Sequence, residues 1–206
     1  KSTLDEIDSL DEADFVSDIL DNLGYKTKKL AFTMDLPKNI KNLKKSKADF
    51  VFNIVEAING KGQLIHIAPS ILDYLKISYT GCSAESIFIS SNKLTAKVLM
   101  RESDIPTPDW AKPEHIEEKY QGKKFIAKSV WEHASIGIDD DSVLPIISGG
   151  KDKWKTKFDN KYFFEEYIDG REFNISILSG EVLPPAEMIF ENYPENKLKI
   201  VNYKAK

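Results

Sequence analysis

The stretch DFVFNIV, Asp49 to Val55, most narrows what this chain can fold into. It is nearly all apolar and rich in β-formers, the signature of a strand buried on both faces in a parallel sheet. Its neighbours agree. SLDEADFVSDILDNLG, from Ser9, sets Leu10, Phe15, Val16, Ile19, Leu20 and Leu23 near helical spacing, with early acids and Gly24 as a stop. YKTKKLAF, from Tyr25, reads as a strand, and LPKNIKNLKKSKA, from Leu36, as a helix with a solvated lysine face. After the NGKG break at Asn59 to Gly62 come a helix through SILDYL and a short strand ISYTG ending at Gly81. Strands alternating with helices predict βαβ units and a mostly parallel sheet.

The character changes near residue 92. SSNKLTAKVLMRESDIPTPDW opens with Ser91 as an N-cap, carries Leu94, Val98 and Leu99 as a helical stripe, and closes on Pro106 and Pro108. KFIAKSV, IGIDDDSVLPIIS, KYFFEEYIDGREFNISIL and EVLPPAEMIF follow, a pattern of mixed or antiparallel sheet. A length of 206 residues accommodates one or two domains. The net charge of −4 argues against a general nucleic-acid surface. No apolar run reaches the ~18 residues of a membrane span, and no signal-peptide pattern opens the sequence. Cys82, the single cysteine, rules out an internal disulfide and a multi-cysteine zinc site; it fits a reducing cytoplasm and reads as a small packed side chain. The chain opens without Met and KIVNYKAK stops within a strand-like pattern, so part of a longer protein is expected.

KKFIAKSVWEHASIGIDDDSV, Lys123 to Val143, brings a lysine off an apolar strand at Lys128 and follows it with Glu132, His133, Ser135 and Gly137. Two readings stand: a phosphate held from two sides, or a β-hairpin with a solvated turn. Lys93 by itself is equally a surface helix lysine. The alternation Phe164, Glu166, Ile168 is what any strand shows.

Four blocks in fixed order give more. YTGCSAESIFISSNKLTAKVLMRESDIPTPDW resembles the YTGS…DK…TK…L…GIPTP stretch of the D-alanine–D-alanine ligase family. FIAKSVWEHASIGI is similar to its K-P-x-x-E-x-x-S-x-G loop, FFEEYIDGREFNISIL to its VEEFIEGREFTV element, and LPPAEMIF with NYKAK to the strand pair ending in YEAKY. The resemblance covers roughly residues 49 to 206. It implies an α/β plus α+β architecture: a Rossmann-like domain over 1–91, the small ATP-grasp subdomain over 92–164, and the start of the large subdomain over 165–206.

It further implies an ATP-dependent carboxylate–amine ligase working through an acyl phosphate, with ATP and Mg2+ as cofactors. The substrates would be amino acids or a related small carboxylate. Lys93, Lys128 and Glu132 would meet the phosphates. Glu165, Glu166, Tyr167 and Ile168 would form the adenine hinge and Glu172 would take the ribose. Lys128, Ser135 and Lys206 would act in catalysis. The family's metal ligands, an Asp and a Glu-x-Asn, come later in its sequences than the match to Lys206. Neither nucleic acid nor membrane is an expected partner, and a homodimer stays open.

Two departures bear on the substrate. Ala134 stands where the family has its first loop serine, with His133 in place of a glycine, and NGKG with QLIHI replaces an acidic GEDG element. Lys61 in NGKG would suit a more acidic or larger substrate if it faced the site; it is as readily a solvent-facing lysine. The glycine-rich N-terminal substrate loop has no clear counterpart. A D-alanine–D-alanine ligase of wall synthesis and an ATP-binding protein without catalysis are the alternatives. A nicotinamide-binding dehydrogenase is disfavoured, since no G-x-G-x-x-G follows a strand.

Overall fold

The structure, a computed structural model, describes residues 4–115, 120–133, 135, 138, 142–146, 158, 161–194 and 197–201. The chain divides into two compact units, Lys1–Asn92 and Lys93–Lys206.

The first unit holds α1 (Leu4–Asn22), α2 (Leu36–Ser46), β1 (Phe50–Val51), α3 (Ile67–Leu75), β2 (Ser78–Tyr79) and α4 (Ala84–Ser91). β1 and β2 pair in parallel, Phe50 with Ser78 and Val51 with Tyr79. Leu43, Ile71 and Leu72 form the core, packed by Phe32, Ile40 and Val51. Asp35 caps α2 by accepting from the Lys38 N–H at 3.1 Å, and Ser83 caps α4 by accepting from the Ser86 N–H at 3.2 Å.

Several expectations change here. Asp49–Val55 contributes only a two-residue strand, and Tyr25–Phe32 forms none. A strand exists through its ladder, and among the described residues no segment pairs with Tyr25–Phe32. Ser91 ends α4 instead of capping the next helix, and is buried there. Cys82 is exposed, not packed.

The second unit begins with α5 (Lys93–Glu102). Its main sheet has four strands in the order β3 (Trp110–Ala111), β6 (Tyr162–Glu166), β4 (Lys124–Ser129), β5 (Val143–Pro145), every pair antiparallel. Side chains alternate across a strand. Phe125 and Ala127 of β4 and Phe164 of β6 therefore point to one face, where they build a core with Ala111, Tyr120, Ile146 and Phe158. Lys128 and Glu165 occupy the opposite face. β6 runs through the 164/165 position at which the large subdomain is expected to begin.

Beyond this sheet lie β7 (Glu172–Asn174), β8 (Ile177–Leu178), β9 (Glu181–Val182) and β10 (Ala186–Met188), paired antiparallel as β7 with β10 and β8 with β9. Arg171 grips Glu187 with two hydrogen bonds, of 2.7 and 2.6 Å. Phe173, Ile177, Val182 and Met188 on these strands stand exposed. Among the described residues no helix is long and apolar enough to cross a membrane.

Candidate functional site

The register of β4 against β6 explains the meeting of Lys128 and Glu165. Ile126 lies opposite Glu165 and Lys128 opposite Phe163. Lys128 and Glu165 are thus diagonal neighbours on one face, within reach of long side chains. Lys128 Nζ donates to Glu165 Oε1 at 2.6 Å.

α5 places its basic residues beside this pair. Lys93, Lys97 and Arg101 recur every four positions and so share a helix face. Lys97 Nζ donates to Glu165 Oε2 at 2.6 Å and to Thr107 Oγ1 at 2.6 Å, and sits 5.1 Å from the centre of the Trp110 ring. Arg101 lies over the same ring at 3.9 Å. Lys97 is the buried residue of α5, whereas Val98 and Leu99 of the expected apolar stripe are exposed. The helix covers this part of the sheet with its cationic stripe because the sheet presents a carboxylate and an indole there.

Glu165 therefore holds two ammonium groups at once. Burial alone would push its carboxyl up; the charge and hydrogen bond of Lys128, reinforced by Lys97, outweigh it and hold the carboxyl below its usual range. Lys93, at the start of α5, donates through Nζ to the Glu132 carbonyl at 2.5 Å, and its own N–H donates to the Val130 carbonyl at 3.0 Å. Burial and the neighbouring charge of Lys128 lower the Lys93 ammonium to about 8. The Glu132 N–H donates to Ser129 Oγ at 3.2 Å, which fixes the turn leaving β4. His133 follows. Burial and the charge of Lys93 lower its imidazole, and its buried Nε2 has no hydrogen-bond partner among the described residues.

The other expected residues are dispersed. Ser135 takes a left-handed backbone (φ 60°), and its hydroxyl donates to the Val201 carbonyl at 2.7 Å. Glu172 Oε2 accepts from the Val201 N–H at 3.2 Å, so both side chains converge on one peptide segment far away in sequence. Glu166 pairs with Lys123 at 2.8 Å, and its N–H donates to the Asp109 carbonyl at 2.8 Å. The Tyr167 N–H donates to the Lys124 carbonyl at 2.9 Å. Glu166 and Tyr167 are thereby stitched to their neighbours, and Ile168, the last residue of the expected hinge, is exposed. Ala134, Gly137 and Lys206 lie outside the described residues. Among the described residues no three His, Cys, Asp or Glu side chains stand together as a metal cluster.

Sequence reasoning missed Lys97. Its signal was the four-residue spacing Lys93, Lys97, Arg101 ahead of a strand carrying Glu165; a lysine on an amphipathic helix otherwise reads as solvated face.

No family model matches the chain. It is 28% identical over 181 residues to the D-alanine–D-alanine ligase of Synechococcus sp. (strain JA-3-3Ab), covering 82% of this chain and 54% of that protein. It is 26% identical over 194 residues to the ligase of that name from Actinobacillus pleuropneumoniae serotype 5b (strain L20), covering 89% of this chain and 60% of that protein. The chain thus spans little more than half the length of these relatives. The fold matches the crystal structure of D-alanine–D-alanine ligase from Bacillus anthracis complexed with ATP, with TM-score 0.69 and 21% identity over 93% of this chain and 64% of that one. The helix-covered antiparallel sheet is an ATP-grasp fold. In sequence as in fold, the chain is similar to the D-alanine–D-alanine ligase-like ATP-grasp proteins.

Proposed function

We propose that this chain carries the nucleotide-binding part of an ATP-dependent carboxylate–amine ligase. The observation that carries the reading is the pairing of Lys128 and Glu165 on one sheet face, with Lys93 of α5 and the Glu132 turn beside them. Two ammonium groups beside one carboxylate form a site that can exchange an internal ion pair for a bound polyanion.

When bound, ATP supplies the phosphoryl group that turns a carboxylate into an acyl phosphate open to attack by an amine. Lys93 and Lys128 offset phosphate charge, and Glu132 orients Lys93 through its carbonyl. Glu165 accepts from the adenine amino group. The Glu166 and Tyr167 N–H groups already bond neighbouring strands, so the ring edge is read by hinge carbonyls and by Ile168. Ser135 holds the phosphate loop to the Val201 segment, and Lys206 completes the catalytic set. Magnesium, the family's cofactor, has no ligand assigned among the described residues.

Glu172 binds the ribose with the oxygen not engaged by Val201. Glu172→Ala is expected to weaken a non-hydrolysable ATP analogue by about tenfold in calorimetric titration, the value of a hydrogen bond to a charged group. An unchanged affinity would remove Glu172 from the site.

The substrate is an amino acid or related small carboxylate. Ala134 has no hydroxyl with which to join a hydrogen-bonded group around D-alanine. Phosphate release by the full protein, assayed over D-alanine, L-amino acids and short acidic peptides, is therefore expected to respond weakly or not at all to D-alanine. The relatives are named for the D-alanine reaction. Vigorous D-alanyl-D-alanine formation at millimolar D-alanine would restore that assignment here.

A further inference from the structure

We propose that Lys97 is a positioning residue that fixes Glu165 as the reader of the adenine amino group and frees Lys128 to turn to the phosphates. The proposal rests on the nucleotide-binding reading above and deepens it.

The two oxygens of Glu165 face unlike partners. Oε2 meets Lys97, whose side chain is 4% exposed; Oε1 meets Lys128, whose side chain is 30% exposed. Lys97 cannot easily leave. Thr107 holds its ammonium from another side, and the Trp110 ring lies alongside it. A buried ammonium is tolerated only when paired and hydrogen-bonded, so withdrawing it from Glu165 would strand both charges. Lys128 has solvent on one side and an easier exit.

An arriving triphosphate competes with Glu165 for Lys128. When Lys128 moves, Oε1 is vacated and becomes an acceptor for an N–H of the base, while Lys97 keeps the carboxylate ionised and in place through Oε2. Without Lys97, Glu165 would have Lys128 as its remaining direct ion-pair partner. It would then hold Lys128 away from the phosphates and point its acceptor oxygens elsewhere. Lys97 is thus the fixed half of the ion pair and Lys128 the exchangeable half.

The readout is base discrimination, which a merely structural lysine would not change. Inosine triphosphate carries a carbonyl where ATP carries the amino group, so it presents an acceptor to Glu165 and is rejected. Calorimetry on the full protein with the imido analogues of ATP and inosine triphosphate is expected to show about a tenfold preference for adenine in the wild type. In Lys97→Met that preference falls to near one, and Lys97→Arg retains part of it. If Lys97→Met fails to fold, Thr107→Val decides; losing one of the two hydrogen bonds that hold the Lys97 ammonium, with the bond to Glu165 kept, is expected to reduce the preference about threefold. An unchanged preference in a folded Lys97→Met, or in Thr107→Val where that variant decides, overturns the role of Lys97 while leaving ATP binding intact. A wild type that binds neither analogue overturns the nucleotide-binding reading, and this proposal with it.

Discussion

Lys128→Met is expected to lower ATP turnover by the full protein about a hundred- to a thousandfold, the usual consequence of removing a group aimed at developing transition-state charge. The fold should survive the change. Glu165 keeps its 2.6 Å bond to Lys97, so no unpaired carboxylate is left behind. Lys128 is partly exposed, and the thermal midpoint should move by no more than the few degrees that about 1 kcal/mol represents. The same substitution removes the charge that, after burial, lowers Lys93, so the Lys93 ammonium should move back up. Steady-state phosphate release, a melting curve and an NMR titration of Lys93 check the three parts. A turnover loss below tenfold in a folded variant would remove Lys128 from the phosphate site. Lys128→Arg is no safe substitute, because a planar fork does not fit the single Oε1 contact as a compact ammonium does.

What was legible in the sequence depended on whether a segment was decided locally or by distant partners. KFIAKSV could be read locally as an apolar strand carrying Lys128, and β4 covers it as far as Ser129, but only the pairing with β6 sets Lys128 on the face of Glu165 and away from Phe125 and Ala127. α5 shows the opposite case. Its apolar residues Val98 and Leu99 suggested the buried stripe, yet the helix buries Lys97, because Glu165, Thr107 and Trp110 reward a cation and all lie outside the helix. No window of one helix contains that information. Tyr25–Phe32 had strand composition but found no ladder partner among the described residues. Ser135 and Glu172 could be matched to motif positions, but their meeting at Val201 spans 66 and 29 residues and is a tertiary fact.

Lys93 provides the second large effect, because stability and ligand affinity should respond to pH in opposite directions. In the folded chain its ammonium titrates near 8, while its ordinary value, that of the unfolded chain, is 10.5. Burial is the main cause and Lys128 the next; the carboxylates of Glu132 and Glu165 oppose them. Between the two values the unfolded state binds more protons, so stability rises with pH. One proton sets a ceiling of ~1.4 kcal/mol per pH unit, and partial exposure reduces this to below about 1. Affinity for a triphosphate runs the other way, since deprotonation removes a cation from the site. A bound polyanion favours the charged lysine, so the fall begins near 8, where the free site loses its proton, continues until the complex loses it too, and should reach about tenfold by pH ~9.5. Tyr79 and Tyr167 are both raised above 10, chiefly by burial, and stay outside this window. Urea midpoints without ligand and calorimetric affinities for an ATP analogue, each across pH 7.5 to 9.5, should therefore show opposed slopes, and Lys93→Met should flatten both. A wild-type affinity that is flat across that range would mean that Lys93 does not meet the phosphates, whatever its titration does to the fold.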